Sequence, residues 1–432
     1  MPSILNLTRR RATLVTGLLL CGLAGGGLVQ SQPQVHAQEA NPELAARFDT
    51  ITVEVSDIRG LDLLTPLNDA YLSRNELRAQ LEEMLAVDYP LEEQAADSRV
   101  LATFGLIPVG TDLGQLLVDL YSEQILGFYD PATDEMYVIG AASGDLSALD
   151  EVTYAHETVH ALQDQHFDLE AGALAPDDHN DDATLAVSGL VEGDATSAQT
   201  DYIGDHPMLL LRFLGEIATS GIDMGALDAA PPIISRTLAF PYDDGFNFVT
   251  ALRDDAGWEA VNAAFTDPPR STEQILHPDK YLAAEEPVEI SLPDIGAALG
   301  TGWTLLDDNV VGEFALQVLL AGGGNDEAIA LEAAAGWGGD RYEVWANGDQ
   351  TVLTWQSAWD SAADAEAFAA AMRAYDESRY GATYTTDSEG TLALTSGAQT
   401  TLLRLDGDTV YYTFAPSETQ AQDLFALLTT GV

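Results

Sequence analysis

Along the first 150 residues, the spacing of apolar positions changes several times. Residues 51–55 (Ile51, Thr52, Val53, Glu54, Val55) alternate as a strand does, after a short polar linker over 38–50. From 65 to 99 the apolar residues recur at helical spacing (Leu77, Leu81, Met84, Leu85), predicting two helices broken near Pro90. Another helix is predicted over about 112–125. Gly127 to Ile139 reads as a hairpin turning at 130–134. A helix follows from about Asp150, with Ser147 or Asp150 able to cap it. Residues 167–180 form an acidic loop, and a second helix starts near Asp181 and runs past Thr200.

Residues 207–335 read as mostly helical, interrupted by prolines at 231–232, 241, 268–269 and 278. After Gly336 the pattern changes. Residues 341–346 and 351–355 alternate around Asn347 and Gly348, a strong hairpin signal. An alanine-rich helix over 362–375, three strand-like runs and a last helix from about Thr419 complete the chain. The expected architecture is α+β. A mostly helical domain with a small β-hairpin or sheet spans 51–335, and a small α+β domain spans 336–432.

Composition adds a medium and an address. The 432 residues carry a net charge of −53, with 17 basic residues and a single lysine, Lys280. Such a surface repels nucleic acid and anionic lipid, which excludes nucleic acid as a partner, and it suits a very salty medium that screens self-repulsion. Arg9, Arg10 and Arg11 precede an apolar stretch over 12–29, and Val35, His36 and Ala37 fit a cleavage site. Residues 1–37 therefore read as a signal peptide, with Thr8, Arg9 and Arg10 permitting twin-arginine export. A lipid anchor on Cys21 is disfavoured by Leu20, which stands where a small residue is wanted. Cleavage removes Cys21, the one cysteine, so the mature chain holds any metal through histidine and carboxylate alone. The expectation is a secreted or cell-surface protein, with no membrane insertion of the mature chain.

The chemistry lies in His156, Glu157, Thr158, Val159 and His160. On a helix, positions i and i+4 share a face, so two imidazoles reach one metal ion, and the glutamate between them is placed to take a proton from water. The apolar neighbours Ala155, Val159, Ala161 and Leu162 make the helix look buried, where two unpaired imidazoles would be costly. A catalytic zinc needs a third protein ligand. His166 lies six residues after His160, pointing off the metal face, and Gln163 stands where a Gly-turn zincin has glycine. The better candidate is Glu192, an acid in the apolar run Leu190, Val191, Glu192, Gly193. Asp164 and Asp194 are candidates to orient the ligands from behind. His277 and Tyr242 are candidate donors to a developing oxyanion.

The run from His156 to Leu169, followed by Val191, Glu192, Gly193, Asp194 and Ala195, resembles exported metallopeptidases of the gluzincin type, relatives of thermolysin. The resemblance extends to the segments 268–281 and 336–342. It implies a zincin-like fold and one zinc ion held by His156, His160 and Glu192. It also implies Glu157 as base and a peptide or protein as substrate. The gap from His160 to Glu192 is longer than in thermolysin. The rival expectation is a non-enzymatic cell-surface binding protein that keeps a structural zinc.

Overall fold

A computed structural model describes residues 42–430 except 132, 140–145, 178, 221–226 and 228, together with 23–24. The signal peptide, its cleavage point and Cys21 lie outside the described residues. Leu23–Ala24 alone are placed there, as a two-residue strand parallel to Phe128 and Tyr129.

The first element corrects the reading of 38–55 as linker and strand. Pro42–Arg59 is a helix, α1. Its buried positions Leu44, Phe48, Ile51 and Val55 fall at spacings of four and three, while Val53 is exposed. The alternation over 51–55 is a five-residue accident inside a longer helical period. After it come β1 (Asn68–Leu72), α2 (Arg74–Asp88), α3 (Leu91–Phe104) and α4 (Leu113–Gln124). Pro90 separates α2 from α3, as its missing N–H requires. The hairpin β2 (Gly127–Asp130) and β3 (Glu135–Ile139) follows. β3 pairs antiparallel with β2 on one side and parallel with β1 on the other. Glu135–Ile139 is therefore an inner strand and not the free edge that an extended substrate would need.

Helices α5 (Ala148–Phe167) and α6 (Asp181–Asp205) form the centre of the larger unit. Ser147 caps α5 through a reciprocal capping box with Asp150, and Asn180 caps α6. From Glu151 to Gln163, every residue of α5 is buried. A helix enclosed on all sides carries no polar stripe for solvent, so its polar groups must find partners within the protein. Then come α7 (Pro207–Ser220), α8 (Pro232–Ala256), α9 (Trp258–Thr266) and the short α10 (Thr272–Leu276), α11 (Pro278–Leu282) and α12 (Ile295–Leu299). Among the described residues no helix is long and apolar enough to cross a membrane.

The C-terminal unit is an antiparallel seven-stranded sheet with helices against it. Its elements are β4 (Thr304–Asn309), α13 (Gly312–Gly322), α14 (Glu327–Ala334), β5 (Trp337–Asn347), β6 (Gln350–Trp359), α15 (Ala362–Tyr380), β7 (Thr385–Thr386), β8 (Leu392–Ser396), β9 (Gln399–Asp406), β10 (Thr409–Ala415) and α16 (Glu418–Thr430). The strand order is β4-β5-β6-β10-β9-β8-β7. The sheet thus recruits β4 from the segment that reads as helical before Gly336. Asn347 and Gln350 pair across the expected turn, with Gly348 at φ 55°. The α+β class holds for the whole chain.

The segment 336–342 has a structural explanation. The buried Asp340 carboxylate accepts the indole N–H of Trp337 and of Trp355, both at 2.9 Å, and the backbone N–H of Val311 and Gly312. It pins β5, β6 and the start of α13 together. A second buried acid, Asp376 on α15, accepts the hydroxyls of Tyr384 and Tyr412. Burial pushes this carboxyl up to about 7, against the smaller opposing effect of those hydroxyls and Arg379. In the unfolded chain it titrates near ~4. Both states hold the proton below pH ~4, and between about 4 and 7 only the folded state keeps it, so stability falls as pH rises through that window. Asp376→Asn is expected to remove this slope, on the order of a few kcal/mol. The check is denaturation midpoints of both proteins at pH 4, 5.5 and 7.5. Parallel profiles would contradict the assignment.

Candidate metal centre

Three side chains from two helices converge. His156 and His160, one turn apart on α5, bring their Nε2 atoms to 3.0 Å. Oε2 of Glu192 on α6 lies 3.1 Å from His156 Nε2 and 3.2 Å from His160 Nε2. All three residues are buried. Among the described residues, these are the ones that gather two imidazoles and a carboxylate within metal-binding reach.

Glycine lets α8 lie directly against α6, the helix that carries Glu192. A Cβ on Gly193 would sit 2.2 Å from Gly245 O of α8, and one on Gly245 would sit 2.2 Å from Gly189 O. The two backbones touch, leaving no volume for a side chain. Gly127 does the same for β2: a Cβ there would lie 3.0 Å from Thr153 Cγ2 on α5. Gly245→Ala is expected to force α8 off α6, costing about 1–3 kcal/mol of stability and weakening metal binding. A melting curve and a zinc titration read the two effects, and a variant unchanged in both would show the contact to be slack.

The residues fit a tetrahedral ion. Donors bound at about 2.0–2.1 Å and tetrahedral angles stand about 3.3 Å apart, close to the 3.0–3.2 Å edges of this triangle. Nitrogen, nitrogen and oxygen donors with no sulfur suit zinc in a three-ligand site.

Glu157 lies beside the trio without joining it. Its Oε2 accepts the backbone N–H of Tyr129 on β2 at 3.0 Å, while its Oε1, buried, has no hydrogen-bond partner among the described residues. Burial, with Glu192 adding, raises this carboxyl to about 8, against the opposing charge of His160 and the Tyr129 N–H. Burial acts to raise Glu192 too, but the His160 charge and the hydrogen bonds of both histidines outweigh it and hold the group at about 2. His160 is raised to about 9, burial being overcome by the charge and hydrogen bond of Glu192. His156 is lowered, chiefly by burial.

The remaining expected site residues separate. Asp194 stands behind the trio, accepting the side-chain amide of Gln163 at 2.8 Å and Nε of Arg59 at 2.6 Å. Gln163 in turn faces His160, with 2.8 Å between Oε1 and Nδ1. Sequence reasoning missed Gln163, whose signal was its place three residues after His160, on the same face. It also missed Arg59, for which the sequence held no signal. Asp164 does not orient a ligand. It accepts Tyr129 Oη–H and Leu169 N–H, so it braces the residue that holds Glu157. The Tyr242 ring lies near-parallel to His156, with centroids 6.1 Å apart. His277 belongs elsewhere: its Nε2 meets the buried Glu313 at 3.0 Å. Glu273, Glu285 and Asp360 enclose the Lys280 ammonium, which bonds all three.

Residues 304–425 match a family described as a domain of unknown function (DUF8575). The matched span opens at β4 and covers the sheet, leaving the metal-site helices outside it. No curated protein matches the chain, and no solved structure does.

Proposed function

We propose that the chain is an exported zinc-dependent peptidase, with His156, His160 and Glu192 holding the ion and Glu157 acting as general base. One observation carries the reading: three ligands converge with no fourth protein ligand among the described residues, and beside them sits a carboxylate with one oxygen held and the other unpartnered. A structural zinc site closes with four ligands, whereas a catalytic one keeps a position open.

A zinc ion bound there would supply Lewis acidity. The chain's own residues supply the rest. The Tyr129 N–H fixes Glu157 Oε2, leaving Oε1 to take the proton of the attacking water and pass it to the departing amine. Tyr242, beside His156, is the candidate donor to the oxyanion that forms at the scissile carbonyl. Export rests on the arginine-led apolar segment at the N-terminus.

Burial favours a second reading. His156, Glu157 and His160 are 0% exposed, as suits an ion that staples α5 to α6 in a binding protein with no activity. Hydrolysis of an unfolded protein substrate by the purified mature chain, lost with a chelator and restored by zinc, supports the peptidase. A chelator that unfolds the chain, with no hydrolysis before it is added, supports the staple.

A further inference from the structure

The zinc-ligand helix is tied to the N-terminal helix by a chain of buried polar groups. Gln163 Nε2 donates to Val191 O at 2.9 Å and to Asp194 Oδ2 at 2.8 Å. With both amide hydrogens committed to acceptors, the amide has one orientation, and Oε1 faces His160 Nδ1. An oxygen there only accepts, so Nδ1 carries a hydrogen, and Nε2 is the ring nitrogen turned to His156 and Glu192. Asp194 is held in place by Arg59 Nε at 2.6 Å, both side chains being wholly buried. Arg59 is itself fixed by Asn262 Oδ1 at 2.7 Å and by the Trp258 ring, 4.5 Å from its guanidinium carbon. His156 has no such support, since its buried Nδ1 lacks a partner among the described residues.

We infer that Arg59, 97 residues before His156 in sequence, is a positioning residue of the metal centre, acting on His160 through Asp194 and Gln163 in series. This rests on the zinc reading above. A buried arginine–carboxylate pair is a weak source of stability. This one ends on a ligand histidine and settles which ring nitrogen faces the metal. Helix α1 is thereby part of the centre.

The test is zinc affinity by chelator competition on the folded, mature chain, with the absorption of the cobalt-substituted protein as a second readout. Arg59→Met and Gln163→Met are each expected to weaken zinc roughly 10–100-fold and to alter the cobalt bands. Acting in series, the double variant should bind about as weakly as Gln163→Met alone. Gln163→Glu and Asp194→Asn should each weaken binding. Combined, they exchange donor and acceptor between positions 163 and 194, while Val191 O still loses its donor, so part of the loss should be recovered, which a general packing defect would not do. Gln163→Met with undiminished affinity, or losses that multiply in the double variant, would overturn the relay while leaving the zinc site standing. An unsubstituted chain that binds no zinc would instead overturn the proposed function. If Arg59→Met does not fold, the Gln163 and Asp194 variants decide the matter.

Discussion

Glu157→Gln is expected to lower kcat for peptide hydrolysis by roughly 10²–10⁴-fold, with zinc content and the unfolding transition close to those of the parent. The amide is nearly isosteric, and its oxygen can still accept the Tyr129 N–H now held at 3.0 Å. What it loses is the ability to take a proton at the position of Oε1, the unpartnered atom beside the trio. Because Glu157 makes none of the three close contacts of the ligand triangle, occupancy should not follow activity downwards. Zinc analysis beside steady-state kinetics separates the two roles. A variant that keeps full activity removes Glu157 from the mechanism, and one that loses zinc makes it a ligand.

Glu192→Ala is expected to weaken zinc binding by more than the ~10–100-fold typical of groups that touch only the ligands, abolishing activity at ordinary zinc concentrations. It deletes one corner of the triangle and leaves His156 and His160, both buried, facing each other at 3.0 Å. Metal-free, the variant should also be less stable than the metal-free parent, because the His160 charge loses the carboxylate that balances it. Isothermal titration with zinc on both proteins gives the first number and denaturant unfolding the second. An unchanged affinity would mean that the third ligand lies elsewhere.

The convergence of the trio was legible because the pairing of its histidines is local. Two histidines four apart on a helix need only the helix to meet, and the run around them reads as buried. Glu192 was legible for a different reason, as an acid with no excuse in an apolar helix. What sits behind the trio was not legible. Gln163 gains its meaning from an amide orientation set by α6, and Arg59 from a packing of α1 against α9 that no spacing encodes. Asp164 and Asp194 look alike in sequence, each close to a proposed ligand, yet helix phase turns one to Tyr129 and the other to Gln163. His277 read as catalytic because it shares a polar loop with a lysine and a tyrosine. Its partner Glu313 comes from α13, 36 residues on.

The fold divides along the same line. Helices α4 to α6, with side-chain caps at their starts, are readable almost to their ends, whereas the helical spacing read over 65–99 hides the strand β1 at Asn68–Leu72. The strand-like run at 51–55 misleads because five residues cannot distinguish a period of two from a fragment of 3.6. The strand β4 escapes because its run of Asp307, Asp308 and Asn309 hides the alternation, and its pairing partner lies more than 30 residues later. The inner place of β3 depends on β1, whose parallel pairing is a long-range contact that no hairpin signal announces.

The most direct test of the central claim is cleavage of a mixed peptide library by the zinc-loaded mature chain, read by mass spectrometry beside Glu157→Gln prepared identically. New termini that appear with the parent, vanish with a chelator and fail to appear with the variant are the predicted result. No cleavage by a parent that holds one zinc per chain, or cleavage undiminished in the variant, would contradict it.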